Sequence, residues 1–201
     1  MVESYLAKKS AAAAAAIRSD RRMATALSKR FLIVNADDFG RSEAVNLGVA
    51  EGFRRGIITS TSLVAAGPAF ESAVSLASEL PGLGIGVHFA INEYQPVLPP
   101  LHIPRLINSE GRFFTRGKQF LRMAADSRIQ GDLLREWDAQ ISKIVRAGIK
   151  LTHIGGHGRC HAHPAAARVV LQLAERYGIA HVRMPAEASR GGRSDAVNSL
   201  W

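Results

Sequence analysis

Residues 30–40 read RFLIVNADDFG. The apolar run 30–35 has the composition of a parallel strand buried on both faces. It leads directly into two adjacent carboxylates, Asp37 and Asp38. Acids side by side at the exit of a buried strand repel each other and lose hydration, so they need a positive partner. A second stretch, residues 152–164, reads THIGGHGRCHAHP. It holds four histidines within eleven residues: His153, His157, His161 and His163. Histidine-dense loops bind divalent metals. Together the two stretches predict one metal site assembled from distant parts of the chain.

Outward from residue 40, strands and helices alternate. Ser42 is placed to N-cap a helix carrying Val45, Val49 and Phe53, with Gly56 ending it. Residues 57–64 are β-branched and Ser/Thr-rich, which predicts a second strand. Pro68 and Pro81 bracket a helix with Phe70, Val74, Ala77 and Leu80 on one side. Residues 83–89 (LGIGVHF) predict a third strand. The stretch 90–119 is proline-rich and aperiodic, as a long functional loop would be. Leu133, Trp137, Ile141 and Ile144 mark a helix ended by Gly148, followed by a short strand over 151–154. Pro164 opens a last helix that Gly178 stops, and residues 179–184 predict a final strand. The alternation predicts an α/β fold with a parallel sheet or barrel. Such folds keep their working residues at the C-terminal ends of strands. Asp37 and Asp38, His88, and the histidine loop all fall on that face.

Composition bounds the function. The chain has 201 residues, 47% apolar and 21% charged, in keeping with one globular domain. No run approaches the ~18 apolar residues that span a bilayer. The lone cysteine, Cys160, excludes an internal disulfide and fits a reducing, cytoplasmic setting. Net charge is +9, but residues 1–30 carry seven Lys/Arg against two acids. The charge therefore sits mainly in a low-complexity tail with a six-alanine run, and no nucleic-acid partner is expected. The expected organisation is a disordered basic tail over 1–29, an α/β domain over 30–188, and a frayed tail over 189–201.

A carboxylate and two imidazoles leave positions on a divalent ion open for water and substrate. A second carboxylate that does not ligate can take the water's proton. Asp38 as ligand and Asp37 as base would divide those tasks, which suits hydrolysis of an amide or ester. Each residue also has a plainer reading. Adjacent aspartates cap turns, and a single histidine in an apolar strand such as His88 often sits satisfied in a core. Cys160 reads as a small packed residue. His153 ends a predicted strand and fits the interior. His161 and His163 could serve a leaving group, contact the ligands from behind, or cap the helix that Pro164 opens. Gly155, Gly156 and Gly158 lack the spacing of a phosphate loop. They read as freedom for the backbone to approach a metal.

Four segments, NADDFG (35–40), GIITSTSLV (56–64), GIGVHF (84–89) and H-x3-H-x3-H-x-HP (153–164), resemble the YdjC-like carbohydrate deacetylases. PVLPP (96–100) and IPRLI (103–107) are most similar to the branch associated with hopanoid biosynthesis. The resemblance implies a (β/α)-barrel-like fold, incomplete at its C-terminal end with about five strands. It implies metal-dependent removal of acetyl from an N-acetylated amino sugar. By position it makes Asp38, His88 and His157 metal ligands, Asp37 the base, and His161 a catalytic residue, as acid or oxyanion support. The metal would be magnesium or zinc; manganese and cobalt suit the same donors. The substrate would be an acetylated amino sugar or, in the hopanoid branch, an N-acetylglucosaminyl lipid reached by peripheral membrane contact. A homo-oligomer would cover open sheet edges. The chain departs from the family pattern at Arg159, where a histidine is common, and at Gly155, where a polar residue is common. A catalytically impaired remnant that keeps metal or sugar binding is the alternative.

Overall fold

The structure is a computed structural model that describes residues 32–184. The tails expected over 1–29 and 189–201 lie outside the described residues. Five strands form one sheet: β1 (Asn35–Phe39), β2 (Ser60–Leu63), β3 (Gly84–Phe89), β4 (His153–Gly156) and β5 (His181–Val182). Their order in space is their order in sequence, and every pair is parallel. Consecutive order without a reversal is the winding of a barrel, not of a doubly wound sheet. The connecting helices are α1 (Glu43–Arg54), α2 (Phe70–Ser78), α3 (Arg116–Ala125), α4 (Ile129–Arg146) and α5 (Ala167–Tyr177). Among the described residues no helix is long and apolar enough to cross a membrane.

Local signals account for the helix ends. The Ser42 side chain accepts from the Val45 amide and caps α1. Gly178 closes α5 with a left-handed φ of 63°, as a C-terminal glycine should. His163 caps the turn at Pro164 by accepting from the Ala165 amide.

The first strand differs from expectation. Residues 32–34 precede it, Leu32 and Ile33 are exposed, and β1 instead contains both aspartates. The sheet is also not apolar on both faces. The register pairs Thr61 with Ile85, Leu63 with Val87, and Val87 with Ile154, which gives one apolar face. That face carries the core, where Phe89 of β3 stacks on Trp137 of α4 with ring centroids 4.4 Å apart. The other face is polar or side-chain-free: Asn35, Ser60, Ser62, Gly84, Gly86, His88 and Gly155. Alternation in GIGVHF is thus the true period-2 signal of a strand with two unlike faces.

The fourth strand begins at His153 instead of ending there. The His153 ring lies across Gly86, where a Cβ would come within 2.4 Å of it, and its Nε2 meets Ser62 Oγ at 3.1 Å. The last strand is only His181–Val182.

The stretch 90–119 is no open loop. Ile91, Ile103 and Leu106 are fully buried, and Ile107 bridges antiparallel to Phe113. Residues 116–125 form α3, which the aperiodic sequence did not reveal. What anchors the stretch is a polar stripe on α4. Asp132, Glu136 and Gln140, four residues apart and each fully buried, face it. Glu136 accepts from the Val97 and Leu98 amides at 2.9 and 3.0 Å. Asp132 accepts from the Arg105 amide at 2.7 Å, and Gln140 bonds both the amide and the carbonyl of Ala90. Burial pushes the Glu136 carboxyl pKa up, and the hydrogen bonds from Gln140, Val97 and Leu98 oppose the shift.

Replacing Glu136 with Ala leaves two backbone amides without acceptors. Glu136→Ala should cost about 2–3 kcal/mol, read as a lower urea midpoint with proteolysis concentrated in 90–119. An unchanged midpoint would refute the anchoring role.

Candidate metal centre

Alternation along a strand sends neighbouring side chains to opposite faces. Asp37 and Asp38 nonetheless reach the same place. Asp38 has a left-handed φ of 65°, and the β1–β2 register shifts between Ala36 and Phe39. This bulge inserts one extra residue, so Asp37 and Asp38 both turn to the cleft and Phe39 returns to the core opposite Leu63. Aspartate is among the non-glycine residues that best tolerate this backbone conformation.

His88 is the last residue of β3 on the polar face, and His157 follows β4 directly. His157 Nδ1 meets Asp38 Oδ1 at 2.9 Å, and His88 Nε2 meets the same oxygen at 3.3 Å. Arg41 donates to the other oxygen, Oδ2, at 3.1 Å. Hydrogen bonds from His157 and then His88 hold the Asp38 carboxyl far below the usual carboxylate range. The same contact raises the pKa of His157. Asp38, His88 and His157 offer ligand atoms that all lie within 4.8 Å of one another. One carboxylate oxygen approached by two imidazoles is a donor set that fits a divalent cation, with further positions left for water or substrate.

Asp37 has a different environment. Arg183, just past β5, donates through Nη1 to both Asp37 oxygens at 2.8 and 2.7 Å. The Arg183 carbonyl in turn accepts from His161 Nε2–H at 2.7 Å. That bond assigns the proton to Nε2 and leaves Nδ1, buried and without a hydrogen-bond partner among the described residues, as the lone pair. Burial lowers the pKa of His161 and keeps the ring neutral. Gly156 makes room for this ring, since a Cβ there would lie 2.8 Å from Nδ1. The glycine thus allows close packing of His161, and it also lines the cleft.

Asp37, Asp38, His88, His157, His161 and Arg183 line a single cleft of about 550 Å³. All five predicted site residues are therefore brought together. Arg159, with a left-handed φ of 63°, also lines it. His153 and His163 do not line the cleft and have the packing and capping contacts described above.

Arg183, Arg41, Glu93 and Tyr94 carry no motif that marks them in the sequence. Arg183 was detectable, because it falls within the final predicted strand near its C-terminal end. Glu93 Oε2 meets His157 Nε2 at 3.1 Å, and the Tyr94 ring stands edge-on to the same imidazole at 5.4 Å. Burial, followed by the Asp38 charge, pushes the Tyr94 phenol up to about 12, so it stays protonated.

The family model for YdjC-like protein matches residues 31–200. The chain belongs to the YdjC-like family. This YdjC-like chain is 47% identical over 154 residues to a protein named carbohydrate deacetylase from Brevibacillus brevis, covering 77% of the chain and 59% of that protein. It is 40% identical over 153 residues to a chitooligosaccharide deacetylase from Enterobacter sp., covering 75% of the chain and 58% of that protein. The crystal structure of a putative cellobiose-phosphate cleavage protein from Enterococcus faecalis superposes with a TM-score of 0.72 at 32% identity, over 81% of this chain and 61% of that one. The YdjC-like chain thus spans about three fifths of the length of the relatives it matches.

Cys160 is fully buried, with its Sγ–H donating to the Phe89 carbonyl at 3.2 Å and its thiol pushed up to about 12 by burial. A thiol-specific disulfide reagent at pH 8 should leave the folded protein unmodified and titrate one thiol after unfolding. Rapid modification of the folded chain would contradict this packing.

Proposed function

We propose that this chain is a metal-dependent carbohydrate deacetylase, hydrolysing the acetamide of an N-acetylated amino sugar to acetate and a free amine. The observation that carries the reading is the convergence of Asp38, His88 and His157 on one point beside an Arg-held carboxylate, Asp37. The names of the relatives supply the substrate class.

In this reading Asp38, His88 and His157 hold a divalent cation, zinc or magnesium. The chemistry such a cation supplies is Lewis acidity toward a water molecule and the acetyl carbonyl. Asp37 takes the proton of the attacking water as general base. Arg183 fixes the plane of that carboxylate, so its lone pairs keep one direction through turnover. The C–O bond to the acetyl carbon forms and the C–N bond breaks. The departing nitrogen must gain a proton to leave as an amine. His161 serves that step through Nδ1, taking up the proton that Asp37 drew from the water and passing it to the nitrogen, while Nε2–H stays on the Arg183 carbonyl. Tyr94 remains protonated beside Asp38 as a further donor.

The finer reading is an N-acetylglucosaminyl hopanoid lipid as substrate, met by an enzyme of the cytoplasm in peripheral contact with a membrane. It rests on the PVLPP and IPRLI segments.

Assay of acetate release from N-acetylglucosamine oligomers and from N-acetylglucosaminyl lipid, with bound metal quantified, tests the proposal. Chelation should abolish release, and added zinc or magnesium should restore it. Asp37→Asn should lower kcat by about 10²–10⁴ while retaining metal. His157→Ala should lose metal and activity together. Stoichiometric metal with no acetate from any substrate would favour a binding remnant over an enzyme.

A further inference from the structure

We propose that Glu93 is a positioning residue of the metal centre, holding the His157 imidazole so that its Nδ1 faces Asp38 and His88. The inference rests on the reading of Asp38, His88 and His157 as ligands.

A neutral imidazole carries one N–H, and a ligand must present its other nitrogen as a lone pair. His157 has a carboxylate at each nitrogen: Asp38 Oδ1 at 2.9 Å from Nδ1 and Glu93 Oε2 at 3.1 Å from Nε2. Nδ1 faces the oxygen that His88 also approaches, so Nδ1 is the nitrogen that gives up its proton to a cation. The N–H that remains is on Nε2, and Glu93 accepts it. Carboxylate partners behind ligating histidines set tautomer, ring orientation and basicity in this way. Without Glu93 the ring can flip or shift its proton, and the lone pair no longer points at the cluster.

A plainer reading would make Glu93 an exposed acid in a casual ion pair, since its side chain is 57% exposed. Two observations oppose that. First, Glu93 has a left-handed φ of 64°, which a glutamate adopts only at a cost. Second, its neighbours support the same contact, one through the Glu93 carboxylate and one through the His157 ring. Asn92, buried, brings Nδ2 to 3.4 Å from Glu93 Oε1, and Tyr94 packs edge-on to His157. Three consecutive residues after β3 thus locate one imidazole.

The backbone provides a discriminating variant. Glycine accepts a φ of 64° without strain, so Glu93→Gly removes the carboxylate while relieving the main chain. The full chain, stripped of metal, is titrated with zinc against a chromophoric chelator, and thermal unfolding of the metal-free protein is followed in parallel. Glu93→Gly should melt at or above the parent Tm yet bind zinc 10–100-fold more weakly. Glu93→Gln, which keeps an oxygen that can accept from Nε2–H, should lose less. Parent-like zinc affinity in Glu93→Gly overturns the inference and leaves the metal centre standing. A parent protein that takes up none of zinc, cobalt or magnesium overturns both.

Discussion

Two carboxylates on consecutive residues set the constraint that the rest of the site answers. Unit charges 4 Å apart repel by about 4 kcal/mol in surroundings of intermediate polarity. The chain does not relieve this by turning the two groups apart, as a regular strand would. The left-handed residue at Asp38 brings both to the same cleft. His88 lies near both acids, with Nδ1 3.9 Å from Asp37 and Nε2 3.3 Å from Asp38, and the remaining compensation differs between them. Asp38 is met by two imidazoles and Arg41, Asp37 by both oxygens' bonds to Arg183. The two acids thereby acquire different surroundings, one set among nitrogen ligands and one held by a guanidinium. Under the proposed reading that difference would permit different tasks, because a group committed to a cation cannot also serve as base.

Much of this was legible in the residues. Alternation of strand and helix signals fixed the parallel sheet. The rule that working groups lie at strand C-termini then brought Asp37, Asp38, His88 and the histidine loop to one face. The start of β1 is not legible because apolar content in 30–35 does not mean burial: Leu32 and Ile33 are exposed. The alternation of GIGVHF shows that these strands have unlike faces, so a continuous apolar run was the wrong template. A bulge is invisible to period counting, since it consists of one residue out of register. Two adjacent acids that must share a site were its only trace.

The region 90–119 was illegible for another reason. Its order does not come from its own periodicity but from Asp132, Glu136 and Gln140 on α4. Such a stripe at fourfold spacing normally marks a solvated helix face. Here it is fully buried, and its acceptors replace the hydrogen bonds that a proline-rich segment cannot make with itself. The distinction depends on what covers the helix, which no local pattern records. The consequence reaches the site, because Glu93 and Tyr94 belong to the same segment. Gln140 pins Ala90, only three residues before Glu93, so the α4 stripe and the His157 contact are ends of one short span.

The Asp37 and His161 side of the cleft hangs from the shortest strand. β5 has two residues, paired through His153 with His181 and Ile154 with Val182, and continued by the Arg183 amide on the Ile154 carbonyl. From that single position the Arg183 side chain holds Asp37 and its carbonyl holds His161. The nitrogen-rich half depends instead on β1, β3 and β4, joined by the longer ladders of the sheet. Loosening β5 would therefore disturb the orientation of Asp37 and His161 before it disturbed the convergence of Asp38, His88 and His157. Asp37 shares β1 with Asp38, and His161 follows β4 as His157 does, so what sets Asp37 and His161 apart is their common dependence on Arg183 and not a strand of their own.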